Sequence, residues 1–322
     1  MTRETMERRQ VPIYIATLLV AAGVGLLLPE FFANAESGIT FVLAVLMYGM
    51  FSQIPFLRLK EALANKRFIA VLLLVQYAVV PAVVYGLTRF LPTDSPLLLG
   101  VLLVLLAPCI DYVIVFTQLG KGNERLMLVS TPILFVTQLV ALPFYLWLFM
   151  GKEAAKLFSA GPIAEAFVLI IVLPLALALL AQLWASRTPN AGGQWLEISA
   201  WLPVPLMALT LFLMVATQIG KLHDSWSLVA QTVPLYIAFM AIMPFVARFA
   251  GRLARLDDGA GRALVFSAGT RNSLVVLPLA LALPASESSL VAAVIVTQTI
   301  VEIVAELVYI RWIPRKIWPD RT

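Results

Sequence analysis

The sequence predicts an all-α polytopic membrane protein: ten transmembrane helices forming two inverted five-helix repeats, with broken, crossing fourth and ninth helices. Three observations lead there. First, 61% of the 322 residues are hydrophobic and 13% are charged, with a mean hydropathy of +0.94, against about 45–50% apolar and about 25% charged in a soluble domain. A chain of this size cannot hide that much apolar surface from water, so lipid is expected to solvate its outer face. Second, the apolar residues come in continuous runs of about 20, the length that crosses a hydrocarbon core of roughly 30 Å; a barrel would alternate at period two instead. Third, lysine and arginine fall on alternate sides of these runs.

In chain order the runs are 11–33, 38–56, 68–90, 96–118, 126–150, 162–184, 196–219, 226–247, 262–284 and 288–313. The first follows MTRETMERRQ, charged in both signs, and has no small-residue cleavage site. It therefore reads as a retained span rather than a signal peptide. FFANAESG, LPTDSP, LGKGNER, SRTPNAGG and ARLDDGAGR separate runs with the glycine, proline and charge content of loops. Trp312 and Trp318 close the last run as an interfacial belt.

One side of the membrane receives eighteen of the 23 basic residues; the other receives Arg89, Lys152, Lys156 and Lys221, and Arg271 lies inside a run. The positive-inside rule then puts both termini in the cytoplasm of a protein of the plasma membrane. The net charge of +5 is spent on this asymmetry, and no nucleic-acid partner is expected. The longest connections, around 151–161 and 185–195, divide the single transporter domain 1–322 into repeats at about 11–150 and about 162–313. Five is odd, so the second repeat enters the membrane upside down, as in many secondary transporters. Superposing the fourth run on the ninth sets Cys109 opposite Thr270 and Asp111 opposite Asn272, each just after a break at Pro108 or Gly269.

A charge deep in lipid costs at least about 2.5–3.5 kcal/mol on insertion scales, so an ionisable residue inside a run is a functional candidate. Four qualify: Asp111, Arg271, Glu302 and Glu306. Asp111 and Arg271 read either as part of a solute site between broken helices or as a structural ion pair. Glu302 is near mid-run and is a candidate proton carrier with Asp111. Glu306, one turn on, is expected to face water or pair with a basic residue near the cytoplasmic end. Gln76, Gln138, Thr297 and Gln298 either line the same cavity or join helices by hydrogen bonds. Cys109 is the one cysteine and His223 the one histidine. A disulfide within the chain and a multi-histidine metal centre are thereby excluded, and no cofactor is expected. As a thiolate, Cys109 is the one strongly soft ligand.

APCIDYVIVFTQLGKGN in the fourth run and LVFSAGTRNSLVVLPLALAL in the ninth, with MYGMF in the second and IVEI in the tenth, resemble the bile acid:sodium symporter superfamily, and within it the arsenite efflux permeases of the arsenical-resistance family. The resemblance implies that Cys109 occupies the position of a cysteine those permeases require for transport. Their glutamate two residues after the ninth-span asparagine is absent, since Ser273 and Leu274 follow Asn272. Asp111 is a candidate replacement across the pseudo-symmetry axis. The sodium-coupled branch implies an ion site at positions occupied here by Val113, Ile114, Ser267 and Arg271, which lack its oxygen ligands, so protons are the expected coupling ion.

The resulting expectation is a secondary carrier that expels a small-molecule or metalloid oxyanion substrate, arsenite or antimonite, in exchange for protons. Cys109 would meet the metalloid and Asp111, Thr270, Arg271 and Asn272 would complete the site. The alternative is an organic-anion carrier in which Arg271 binds a carboxylate. An intramembrane enzyme is disfavoured, because no H-E-x-x-H, G-x-S-x-G or P-loop motif occurs.

Overall fold

A computed structural model describes residues 5–6, 9–28, 31, 36–56, 65–92, 95–110, 112–151, 165, 168–219 and 226–320. Asp111, His223, Lys152, Lys156 and Lys221 lie outside them. Among the described residues every regular element is a helix. Six helices among the described residues are long and apolar enough to cross a membrane: Lys66–Thr88, Glu124–Met150, Val168–Arg187, Pro189–Thr217, Ser227–Leu253 and Glu287–Ile317. Pro12–Leu27, Phe41–Gln53 and Pro96–Leu105 are shorter and equally apolar. Leu27, Phe41, Val140 and Phe249 are each more than 70% exposed, which only a lipid solvent tolerates at this density. The protein is a multi-pass membrane protein.

The chain divides into two compact units, each drawn from discontinuous segments. The first comprises Met1–Ile54, Phe158–Trp226 and Leu277–Ala293. In it α1 (Gln10–Leu27) packs along the Pro203–Ile219 helix, and α2 (Glu36–Gln53) packs on Leu173–Arg187 and Pro203–Ile219. Gln182, a polar residue in an otherwise apolar helix, donates to the carbonyls of Phe51 (3.2 Å), Ser52 (3.3 Å) and Ile54 (2.8 Å). These are the unpaired carbonyls at the end of α2, which a helix cannot satisfy internally.

The second unit comprises Pro55–Leu157, Ser227–Val276 and Val294–Thr322. Its first helix, α3 (Lys66–Thr88), is capped by the Asn65 side chain on the Phe68 N–H (3.1 Å) and widens into a π turn at Val75–Val79. Prolines within its helices leave carbonyls without an N–H, and side-chain hydroxyls take its place. Pro81 leaves the Tyr77 carbonyl to Tyr145; Pro244 leaves the Met240 carbonyl to Tyr309; Pro132 leaves the Leu128 carbonyl to Thr131 (2.7 Å). Hydrogen bonding of this kind lets proline persist in a helix that water does not reach.

The last helix ends in a π turn at Ile313–Ile317, after which Trp318 is fully buried. Its indole donates to Asp258 (3.0 Å) and lies over Gly261, where a Cβ would collide with the ring, and Gly251, where a Cβ would crowd it. Arg262 then binds the Trp318 carbonyl (3.0 Å), the Lys121 carbonyl (3.1 Å) and Asp320 (2.6 Å), fixing the chain end against the start of the Asp258–Gly269 helix.

Candidate functional site

The fourth and ninth runs are each two short helices rather than one continuous span. In the fourth, α4 (Pro96–Leu105), capped by Ser95 on the Leu98 N–H (3.2 Å), stops before Pro108, and α5 (Val113–Leu119) resumes after it. In the ninth, α6 (Asp258–Gly269), capped by Asp257 on the Ala260 N–H (2.8 Å), gives way to extended Thr270, and α7 (Ser273–Leu281) follows. Gly269 is buried with no room for a side chain: a Cβ would stand 2.9 Å from the Tyr309 ring.

The two breaks pair with one another. Pro108 and Arg271 form an isolated antiparallel bridge; the Cys109 N–H donates to the Thr270 carbonyl (3.3 Å) and the Asn272 N–H to the Ala107 carbonyl (2.8 Å). Unwound backbone inside a membrane must find such partners, because each orphaned group costs several kcal/mol there. The Asn272 carboxamide oxygen caps the new helix by accepting the Val275 N–H (3.2 Å).

A third segment, the helix Ala285–Trp312, supplies carboxylates to this crossing. Glu302 is fully buried and accepts the Arg271 backbone N–H (2.8 Å), the Gln298 amide (2.6 Å) and the Tyr112 hydroxyl (2.6 Å). Tyr112 also reaches the Arg271 carbonyl (3.0 Å). Its single hydrogen serves one acceptor at a time, so its direction depends on whether Glu302 carries a proton. Thr270 lies in the same relation to the Phe266 carbonyl (2.7 Å) and Glu306 (2.9 Å).

The Arg271 guanidinium turns away from this cluster. It donates to the carbonyls of Ser267 (2.7 Å), Ala268 (2.8 Å) and Leu105 (3.3 Å) and to the Gln76 side-chain oxygen (3.0 Å). Gln76, at the π turn, is itself oriented by donating to Ser267. Arg271 is therefore a shared C-cap for the two half-helices that end at the crossing.

The crossing gathers Cys109, Thr270, Arg271, Asn272 and Glu302, all at most 1% exposed. Glu306 corrects the sequence reading: it is fully buried rather than facing water, because the unwound Thr270 packs on it and donates its hydroxyl to the carboxylate. Tyr112 was not anticipated; a hydroxyl-bearing residue inside a break is the signal that could have found it. Polar atoms without a hydrogen-bond partner among the described residues concentrate here: Asn272 Nδ2, Ser273 Oγ, Arg271 Nε, Gln298 Oε1 and Glu306 Oε2. Folded proteins leave few such atoms buried, and each calls for an explanation. Their concentration around three consecutive unwound residues suits a polar solute.

The model of the Sodium Bile acid symporter family matches residues 40–225, more than half of the chain. The chain belongs to this family. As a member it is a membrane transporter and not an enzyme. It is 24% identical over 296 residues to the arsenical-resistance protein Acr3 of Corynebacterium glutamicum, covering 86% of this chain and 79% of that one. It is 23% identical over 256 residues to the uncharacterized sodium-dependent transporter YocS of Bacillus subtilis, covering 80% and 77%.

Proposed function

We propose that this symporter-family member is an efflux carrier for arsenite and antimonite that exchanges them for protons. The observation that carries the reading is the pairing of the two breaks, which sets the lone soft ligand, Cys109, on the same unwound backbone that Glu302 holds through Arg271. The identity with an arsenical-resistance protein over 86% of the chain supports the cargo.

In this mechanism the Cys109 sulfur meets the trivalent metalloid, a soft acceptor for a soft donor. Asn272 Nδ2 and Ser273 Oγ hydrogen-bond its hydroxyls, with Thr270 beside them. Arsenite is neutral at neutral pH, so membrane potential alone does not expel it and exchange with a proton does. Glu302 carries that proton: when it is protonated, Tyr112 turns its hydrogen to the Arg271 carbonyl, and when it is ionised, Tyr112 turns back. Proton arrival thereby changes the hydrogen bonding of the segment that holds the solute. Asp111, two residues from Cys109, is proposed as a second proton carrier. Ten spans in two inverted repeats, in the plasma membrane with both termini cytoplasmic, supply the alternating access.

The organic-anion reading asks Arg271 to bind a carboxylate. Its Nη1 and Nη2 instead donate to four neutral oxygens of the protein and only Nε lacks a partner among the described residues, which argues against a bidentate clasp of a carboxylate. The test is a transport panel in everted membrane vesicles with arsenite, antimonite and small carboxylates. Uptake of the metalloids that collapses with the proton gradient is the expected result. Uptake of a carboxylate with no metalloid transport overturns the proposal.

A further inference from the structure

Positive charge gathers at one end of two neighbouring helices in the second unit. Residues 245–256 carry Arg248, Arg252 and Arg255, residues 307–318 carry Arg311, Arg315 and Lys316, and neither segment contains an aspartate or a glutamate. The two segments lie side by side: the Phe245 ring meets the Trp312 ring edge-on at 5.6 Å, and the Arg252 guanidinium stands over the Trp318 ring at 5.2 Å. Arg248, three residues after Phe245 and four before Arg252, falls on that same face of the Thr232–Leu253 helix. The carboxylates nearest in sequence are engaged elsewhere: Asp257 caps α6, Asp258 accepts the Trp318 indole and Asp320 holds Arg262. None of the six cations forms an ion pair among the described residues. Arg252, Arg255, Arg311, Arg315 and Lys316 are exposed, and so are Phe249 (73%) and Leu253 (76%) on the same stretch of helix.

We infer that this paired helix end is a binding site for the headgroup of an anionic phospholipid, with Phe249 and Leu253 lying in its acyl region. Like charges crowded on one patch repel, and a phosphate-bearing headgroup supplies the counter-charge; basic segments beside a membrane-crossing helix attract anionic lipid in this way. Arginine suits the task, because its fork of donors matches phosphate oxygens. The apolar residues beside the charges commit the site to a lipid: one molecule brings phosphate to the cations and hydrocarbon to Phe249 and Leu253. Part of the site is pre-formed, since the indole under Arg252 is fully buried and held by Asp258. The same tryptophan ties the headgroup to a broken helix: its carbonyl accepts Arg262 of α6, whose far end is the break at Thr270.

The site needs only a membrane-embedded chain and is independent of cargo, so its test uses no substrate. Full-length protein in detergent is mixed with equal amounts of phosphatidylglycerol and phosphatidylcholine, and the lipids it retains are counted by native mass spectrometry. Wild type is expected to hold phosphatidylglycerol at least about tenfold more tightly, and the combined Arg248→Gln, Arg252→Gln and Arg315→Gln variant to hold the two lipids equally. Each single substitution is expected to weaken phosphatidylglycerol about fivefold, the share of one basic residue near an anionic surface. If the combined variant does not fold, Arg248→Gln and Lys316→Gln singly decide, and wild-type retention in both overturns the inference. Lys66→Gln, Arg67→Gln and Arg187→Gln together, outside the two segments, are expected to leave the preference intact; an equal loss there means a diffuse surface charge and overturns the site. Wild type that holds both lipids equally overturns it as well. So does stabilisation against heat by inorganic phosphate equal to that by phosphatidylglycerol, which would assign the patch to a free anion.

Discussion

The Glu302 carboxylate accepts the backbone N–H of Arg271 at 2.8 Å, so an unbroken helix holds the unwound segment of a broken one. This bond ties an ionisable group to the backbone between Thr270 and Asn272. A proton arriving at Glu302 therefore alters a segment whose neighbours carry unpartnered polar atoms. In the proposed exchange, coupling of proton and solute needs no longer path.

Glu302→Gln keeps the shape of the side chain and removes its ability to exchange a proton. The expected outcome is retained arsenite binding with loss of proton-driven transport by about a hundredfold or more, in the range seen for removal of a positioned acid or base. Binding measured on purified protein, beside flux in vesicles, separates the two effects.

Tyr112→Phe removes the hydroxyl shared between Glu302 and the Arg271 carbonyl. A buried acceptor left without its donor costs about 1–3 kcal/mol, so a lower melting temperature is expected together with a displaced pH profile of transport. A purely structural hydroxyl would lower stability and leave the profile where it was.

The sequence made the breaks legible because proline and glycine act on the backbone locally. Pro108 has no N–H to give, and Gly269 stands against the Tyr309 ring, so each interruption is written in the residue itself. The spacing of Glu302 and Glu306 likewise placed both on one helix face. What that face meets depends on packing between segments far apart in the chain, and no local pattern reports it. Glu306 was expected at a wet helix end and is buried on Thr270. The sequence reads Arg271 as part of a solute site or of an ion pair with Asp111, which lies outside the described residues; that its guanidinium also caps two half-helices is set by where α4 and α6 stop. For Gln76 and Gln298 the sequence leaves open whether they line the cavity or join helices: Gln76 joins segments through Arg271 and Ser267, whereas Gln298 bonds Glu302 within its own helix.

Gly269→Ala tests how tightly the break is packed. The added Cβ falls 2.9 Å from the Tyr309 ring, whose hydroxyl is fixed on the Met240 carbonyl, so the ring cannot turn aside freely. Overpacking of this kind costs about 1–3 kcal/mol. Melting in detergent is expected to show that loss, whereas an unchanged melting temperature means the crossing is looser than described.

Trp318→Ala removes the largest fully buried side chain among the described residues. Truncating a packed aromatic costs about 3–5 kcal/mol, and the indole bond to Asp258 is lost with it. Limited proteolysis is expected to release the residues after Ile317 from the variant and not from wild type.

In the proposed mechanism the paired breaks hold the transported metalloid through Cys109. Proton-driven arsenite uptake into everted vesicles, compared between wild type and Cys109→Ser at matched protein levels, tests it most directly. Uptake by wild type and loss to background in Cys109→Ser are expected. Arsenite uptake at the wild-type rate in Cys109→Ser would contradict it.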